Sequence, residues 1–105
     1  MDRADIKFNS KEMLYFTTNA RKKYIEALDK CEKGDFDKAE ILIGEGNDCV
    51  EVAQKIKEKI FYMDDNEEKV PEIFMMVSAQ DSLESVLLIK DLIKHFINLY
   101  KFTQS

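Results

Sequence analysis

Tryptophan is absent from this chain, proline occurs once, glycine three times, cysteine twice and histidine once in 105 residues. So little proline and glycine, beside plentiful Lys, Glu, Leu and Ile, points to helix. No apolar run exceeds the five residues Ile73 to Val77, far below the ~20 a membrane span needs. The opening residues, Met1-Asp2-Arg3-Ala4-Asp5, have no apolar stretch of signal-peptide type behind them. There is no basic stripe of the sort that neutralises phosphates, so nucleic acid is not an expected partner. Glycine-rich phosphate loops, paired Cys or His metal spacings and nucleophile elbows are missing too.

The residues present make a charged, acidic chain: 45% hydrophobic, 35% charged, with a net charge of −5. That length supports one hydrophobic core, hence one domain over residues 1–105. Two cysteines in an acidic, untargeted chain suggest free thiols in a reducing, cytoplasmic setting. Cys31 and Cys49 fall at core-like positions and read as buried thiols. Met63, Met75 and Met76 read as filling for irregular core gaps, and Lys55, Lys57 and Lys59 as a solvated face.

Three helices are expected, about 10–33, 36–64 and 71–102. Asn9-Ser10 supplies a side-chain oxygen for the first turn of the first helix. Met13, Phe16, Ala20, Tyr24, Ala27, Leu28 and Cys31 then recur at steps of three and four, one apolar face. Gly34 permits a left-handed stop and Asp35 can cap the second helix. That helix carries Ala39, Leu42, Gly46, Cys49, Ala53, Ile56, Ile60 and Met63 at bundle-like spacing. Gly44 and Gly46 lie inside it, each costing about 1 kcal/mol relative to alanine, which implies either a close helix approach or a kink. The acidic run Asp64-Asp65-Asn66-Glu67-Glu68 ends it, and Pro71 suits the first turn of the third. Short connections make the bundle antiparallel, up-down-up.

On a helical wheel the third helix groups Gln80, Glu84, Lys90, Asp91, Lys94, His95, Asn98 and Lys101 in one polar sector. Phe74, Leu88, Ile89, Leu92, Ile93, Phe96, Leu99 and Tyr100 lie opposite, a sector too wide for a helix covering only two neighbours. Ser78, Asp81, Ser82 and Ser85 fall on that apolar side. Asp81 also begins a heptad-like run through Ser85, Leu88, Leu92 and Leu99. Either this is a frayed, solvated helix end, or the extra width serves self-association and Asp81 carboxylates converge on a symmetry axis. In the second case a hard cation such as Mg²⁺ or Ca²⁺, or protons, must neutralise them.

The passages Met75–Leu83, Leu88–His95 and Asn98–Lys101, with Asn19-Ala20-Arg21, Glu26-Ala27-Leu28, Gly34–Glu40 and Gln54, resemble one family. It is the IIA component of the lactose/cellobiose type of bacterial sugar phosphotransferase system, and the likeness spans about residues 12–102. The resemblance implies a homotrimer of three-helix subunits, with a divalent cation, Mg²⁺ for preference, held on the threefold axis by Asp81. It implies a phosphoryl group taken onto a histidine from the general phosphocarrier protein and passed to the sugar-specific IIB component, without insertion into the membrane. The family motif, His-x-Gln-Asp-His, here reads Ser78-Ala79-Gln80-Asp81-Ser82. Ser78 stands where the phosphoryl acceptor belongs and Ser82 where the second histidine belongs, beside Gln80. A serine hydroxyl is a weak nucleophile without an adjacent base, whereas imidazole is a good one near neutral pH. His95, the single imidazole, is 17 residues from Ser78, about 25 Å along a helix, and reads as an ordinary helix residue. A carrier that no longer relays phosphate, acting in binding or regulation, is therefore expected. The alternatives are a genuine IIA carrier whose histidines were replaced by engineering, and a helical-hairpin adaptor of which one hairpin is visible.

Overall fold

In the computed structural model, residues 3–61 and 70–104 are described, and all the secondary structure among them is helical. Helix α1 is Arg3–Glu32, α2 is Phe36–Phe61 and α3 is Val70–Gln104. The first helix starts well before Asn9-Ser10. Ile6, Ser10 and Met13 continue the buried steps of three and four toward the N-terminus, and Asp5 places a negative charge in the first turn. Ser10 is therefore a buried mid-helix residue rather than a cap, and its hydroxyl has no hydrogen-bond partner. The acidic run 64–68 and Met63 lie outside the described residues.

The turn at Gly34 is built as its sequence predicts. Gly34 has φ 79°, Asp35 N–H donates to the Lys30 carbonyl at 2.9 Å and Gly34 N–H to that of Cys31 at 3.0 Å. These two bonds satisfy the last carbonyls of α1, and the left-handed residue turns the chain back. The Asp35 carboxylate then accepts from Lys38 N–H at 3.3 Å, capping α2.

Pairings between helices fix the topology. The turn between Glu32 and Phe36 sends α2 back along α1, antiparallel. Lys23 thus meets Glu45 at 2.8 Å and the Tyr24 hydroxyl donates to Asn47 at 2.7 Å, each pair lying roughly as far from the turn on one helix as on the other. Thr17 meets Ser82 and Glu32 meets Tyr100, so α1 and α3 are parallel. The bundle is up-down-up, a rod 58 Å long and 18 by 16 Å across. It is not a closed triangle: α1 packs extensively against both partners, while α2 and α3 scarcely meet.

The core lies along those seams. Met13, Ala20, Tyr24, Ala27 and Cys31 from α1 pack with Ala39, Val50, Ala53, Ile56 and Ile60 from α2 and Ala79, Leu83, Val86, Ile93 and Ile97 from α3. Of the two alternatives for the α2 glycines, close approach is what Gly46 shows. A Cβ there would lie 2.7 Å from the Tyr24 ring, whereas one at Gly44 would meet nothing within 4 Å.

Candidate functional site

The motif residues sit in the first half of α3. Ala79 is buried against α1, and one turn further Leu83 does the same. That register turns Ser78 and Asp81 outward, leaves Gln80 half-buried, and sets Ser82 at the edge of the α1 seam. Ser82 Oγ lies 2.6 Å from Thr17 Oγ1. The Thr17 hydroxyl also lies 3.2 Å from the Leu14 carbonyl, a second acceptor within its reach. A serine whose partner here is another hydroxyl, Thr17, has no strong base supplied by that contact, and is poorly disposed to attack a phosphoryl group. Residue-level reading of the sequence passed Thr17 over. Its one signal was position: it fills the slot between Met13 and Ala20 in the buried steps of α1.

The broad apolar sector expected on α3 divides by burial, one edge covered by the bundle and the rest exposed. Ile93 and Ile97 face the bundle, with Ile89 and Tyr100 half-buried at its margins. Phe74, Leu88, Leu92, Phe96 and Leu99 form the adjoining exposed stripe, with Phe74 68%, Leu88 60% and Leu99 59% exposed. The reason is that α3 has one close neighbour, α1, so a single stripe satisfies the bundle. The outer stripe contains Ser78, Asp81 and Ser85 in register with Leu88 and Leu92. His95 belongs to it as well: it is exposed at the next step of three after Leu92, rather than part of the polar flank.

That flank overlooks α2. Lys90, Asp91, Lys94, Asn98 and Lys101 line a groove of about 380 Å³ against Glu40, Ile43 and Asn47. Lys101 closes its lower end, reaching Glu40 at 3.5 Å and lying 5.5 Å above the Phe36 ring.

Among the described residues no cluster of three or more His, Cys, Asp or Glu side chains within the chain could hold a metal. Asp81 is a lone outward carboxylate flanked at one turn by the Ser78 and Ser85 hydroxyls, an oxygen-only donor set. The two cysteines are thiols, Cys31 buried and Cys49 half-buried, and burial pushes both upward in pKa. Burial also pushes Tyr24 up to about 12.

The chain belongs to the lactose/cellobiose-specific IIA subunit family of the sugar phosphotransferase system, whose family pattern matches residues 10–101. It is 36% identical to the PTS system lactose-specific EIIA component of Staphylococcus epidermidis over 101 residues, 96% of this chain and 97% of that one. The components of the same description from Staphylococcus aureus and Lactococcus lactis subsp. lactis are each 34% identical, over 96% of this chain and 98% and 96% of theirs. None of the described helices is long and apolar enough to cross a membrane.

Proposed function

We propose that this protein is a IIA-type subunit that assembles as a homotrimer through the outer stripe of α3 and no longer relays phosphate. It acts instead by binding the phosphotransferase partners, the IIB component or the general phosphocarrier, without passing a phosphoryl group between them. The observation that carries this reading is the state of the motif. The exposed position for an acceptor is Ser78, the second is a serine bonded to Thr17, and the one imidazole of the chain lies 17 residues from Ser78 along α3. At helical rise that is about 25 Å, too far for His95 of the same chain to replace the missing acceptor.

Self-association is supported by the stripe. Phe74, Val77, Leu88, Leu92, Phe96 and Leu99 are all substantially exposed. Each leaves on the order of 100 Å² uncovered, about half the area of a large side chain. Together they reach the top of the ~300–600 Å² range for the largest apolar patch of a typical monomer. In a trimer about this stripe three Asp81 carboxylates meet, and like charges that close need neutralising. Their oxygens suit a hard divalent cation, Mg²⁺ for preference, which would supply that positive charge. A cytoplasmic location fits the partners proposed.

Incubating the chain with phosphoenolpyruvate, the first enzyme of the system and the phosphocarrier, then measuring its intact mass, tests the lost relay. No mass increase is expected. A stoichiometric, acid-labile phosphate would overturn the reading.

A further inference from the structure

The outer stripe of α3 runs Phe74, Ser78, Asp81, Ser85, Leu88, Leu92, His95 and Leu99, steps of four and three without a break, every position exposed in the single chain. This is the spacing with which one helix meets copies of itself. We propose that in the trimer the three His95 imidazoles, one from each copy, converge on the axis and form a second metal site, nitrogen-only, for a borderline-soft divalent cation such as Zn²⁺. The site rests on the trimer reading given under Proposed function.

Position argues for it first. His95 lies between Leu92 and Leu99 on the stripe, so an interface that covers those leucines also covers the ring. Asp81 is 14 residues away on the same stripe, four turns or about 21 Å, so the two sites are separate.

Chemistry argues for it second. A neutral imidazole brings one donor and one acceptor nitrogen. Three of them in a leucine-lined layer would leave acceptor nitrogens facing one another without partners, which costs desolvation. Three imidazolium ions meeting at the axis would repel one another. A cation taking one acceptor nitrogen from each copy resolves both problems, and three histidines plus water is an established zinc arrangement. Asp91, exposed and four residues earlier, is spaced to accept the second ring N–H and fix the imidazole's orientation. Nitrogen donors favour zinc over magnesium, so the axis would carry two sites of opposite preference.

The test uses the full chain stripped of metal with chelator and returned to excess Mg²⁺, sedimentation to read its assembly, and titration with Zn²⁺ and with Co²⁺. Expected are one Zn²⁺ per three chains, visible Co²⁺ absorption, and at least tenfold weaker Zn²⁺ binding in both His95→Asn and His95→Gln. Asp81→Asn should bind Zn²⁺ as the parent does. Because His95 is exposed in the single chain, both His95 variants should keep the parent's helicity by circular dichroism. A trimer that binds no Zn²⁺, or binds it equally in the His95 variants, overturns this site and leaves the trimer intact. A chain that sediments as a monomer at tens of micromolar, with or without Zn²⁺, overturns the trimer reading and the site together.

Discussion

Ser82 and Thr17 share a hydroxyl–hydroxyl hydrogen bond across the α1–α3 seam, Oγ to Oγ1 at 2.6 Å, and the Thr17 hydroxyl also reaches the Leu14 carbonyl at 3.2 Å. A motif position of the family is thereby turned into a structural tie between the first and last helices. Thr17→Val keeps the shape and removes both bonds, leaving Ser82 without its partner. We expect a loss of about 1 kcal/mol in urea unfolding. The double variant Thr17→Val/Ser82→Ala should recover much of it, because no donor is then stranded; equal losses would show that the bond contributes nothing.

Restoring the acceptor is the complementary experiment. Ser78 is exposed and one turn from Ser82, so a histidine there meets no steric obstacle from the bundle. Ser78→His should acquire an acid-labile phosphate from the phosphocarrier while the parent does not. If the variant also stays unmodified, the phosphocarrier no longer recognises this surface.

Asp81→Leu should remove the axial charge repulsion and the need for a cation together. The parent trimer is expected to loosen on chelation and the variant trimer to be indifferent, as read by sedimentation. Undiminished chelator sensitivity in the variant would locate the responsible metal elsewhere.

The two glycines of α2 should respond in opposite directions to alanine. At Gly46 the new methyl would sit 2.7 Å from Tyr24, a fully buried ring, and overpacking of that kind costs about 1–3 kcal/mol. At Gly44 nothing lies within 4 Å, so the gain in helix propensity, up to about 1 kcal/mol, should appear undiminished. Thermal midpoints of the two variants distinguish these signs directly.

Tyr24 also predicts an alkaline limit. Its folded-state pKa, about 12, stands above the ordinary tyrosine value of 10.0, chiefly through burial. A folded state that holds its proton more tightly than the unfolded state is favoured at lower pH. This contribution is therefore complete below about pH 10 and is lost as pH rises toward 12. Tyr100, hydrogen-bonded to Glu32, and the two cysteine thiols shift in the same direction and add to the slope. In Tyr24→Phe the urea midpoint should be lower at neutral pH, since the bond to Asn47 is gone. It should then fall less steeply than the parent's between about pH 10 and 12.

Helix type and order were legible because steps of three and four persist through each segment, and because Gly34 and Asp35 carry the chemistry of one specific turn. The start of α1 was not: Asn9-Ser10 has cap chemistry, yet Ile6 and Met13 bury the helix on either side, and packing outweighs a cap signal. The division of α3 into two stripes was hidden by its composition. A wheel counts apolar residues without knowing how many neighbours will cover them, and α3 has one rather than two. Thr17 escaped for a related reason, since a hydroxyl at a core slot looks polar until its partner across the seam is known. The motif, by contrast, was readable letter by letter, because the identity of positions 78 and 82 is chemistry rather than packing.

That α1 stands between two helices that hardly touch makes the rod a pair of zippers sharing one set of teeth. Tyr24 closes the zipper toward α2, and Thr17, seven residues earlier, closes the one toward α3. Substitutions along α2 are thereby insulated from the outward surface of α3, and each half can drift at its own pace. A fold built this way can change the surface of one zipper without putting the core of the other at risk.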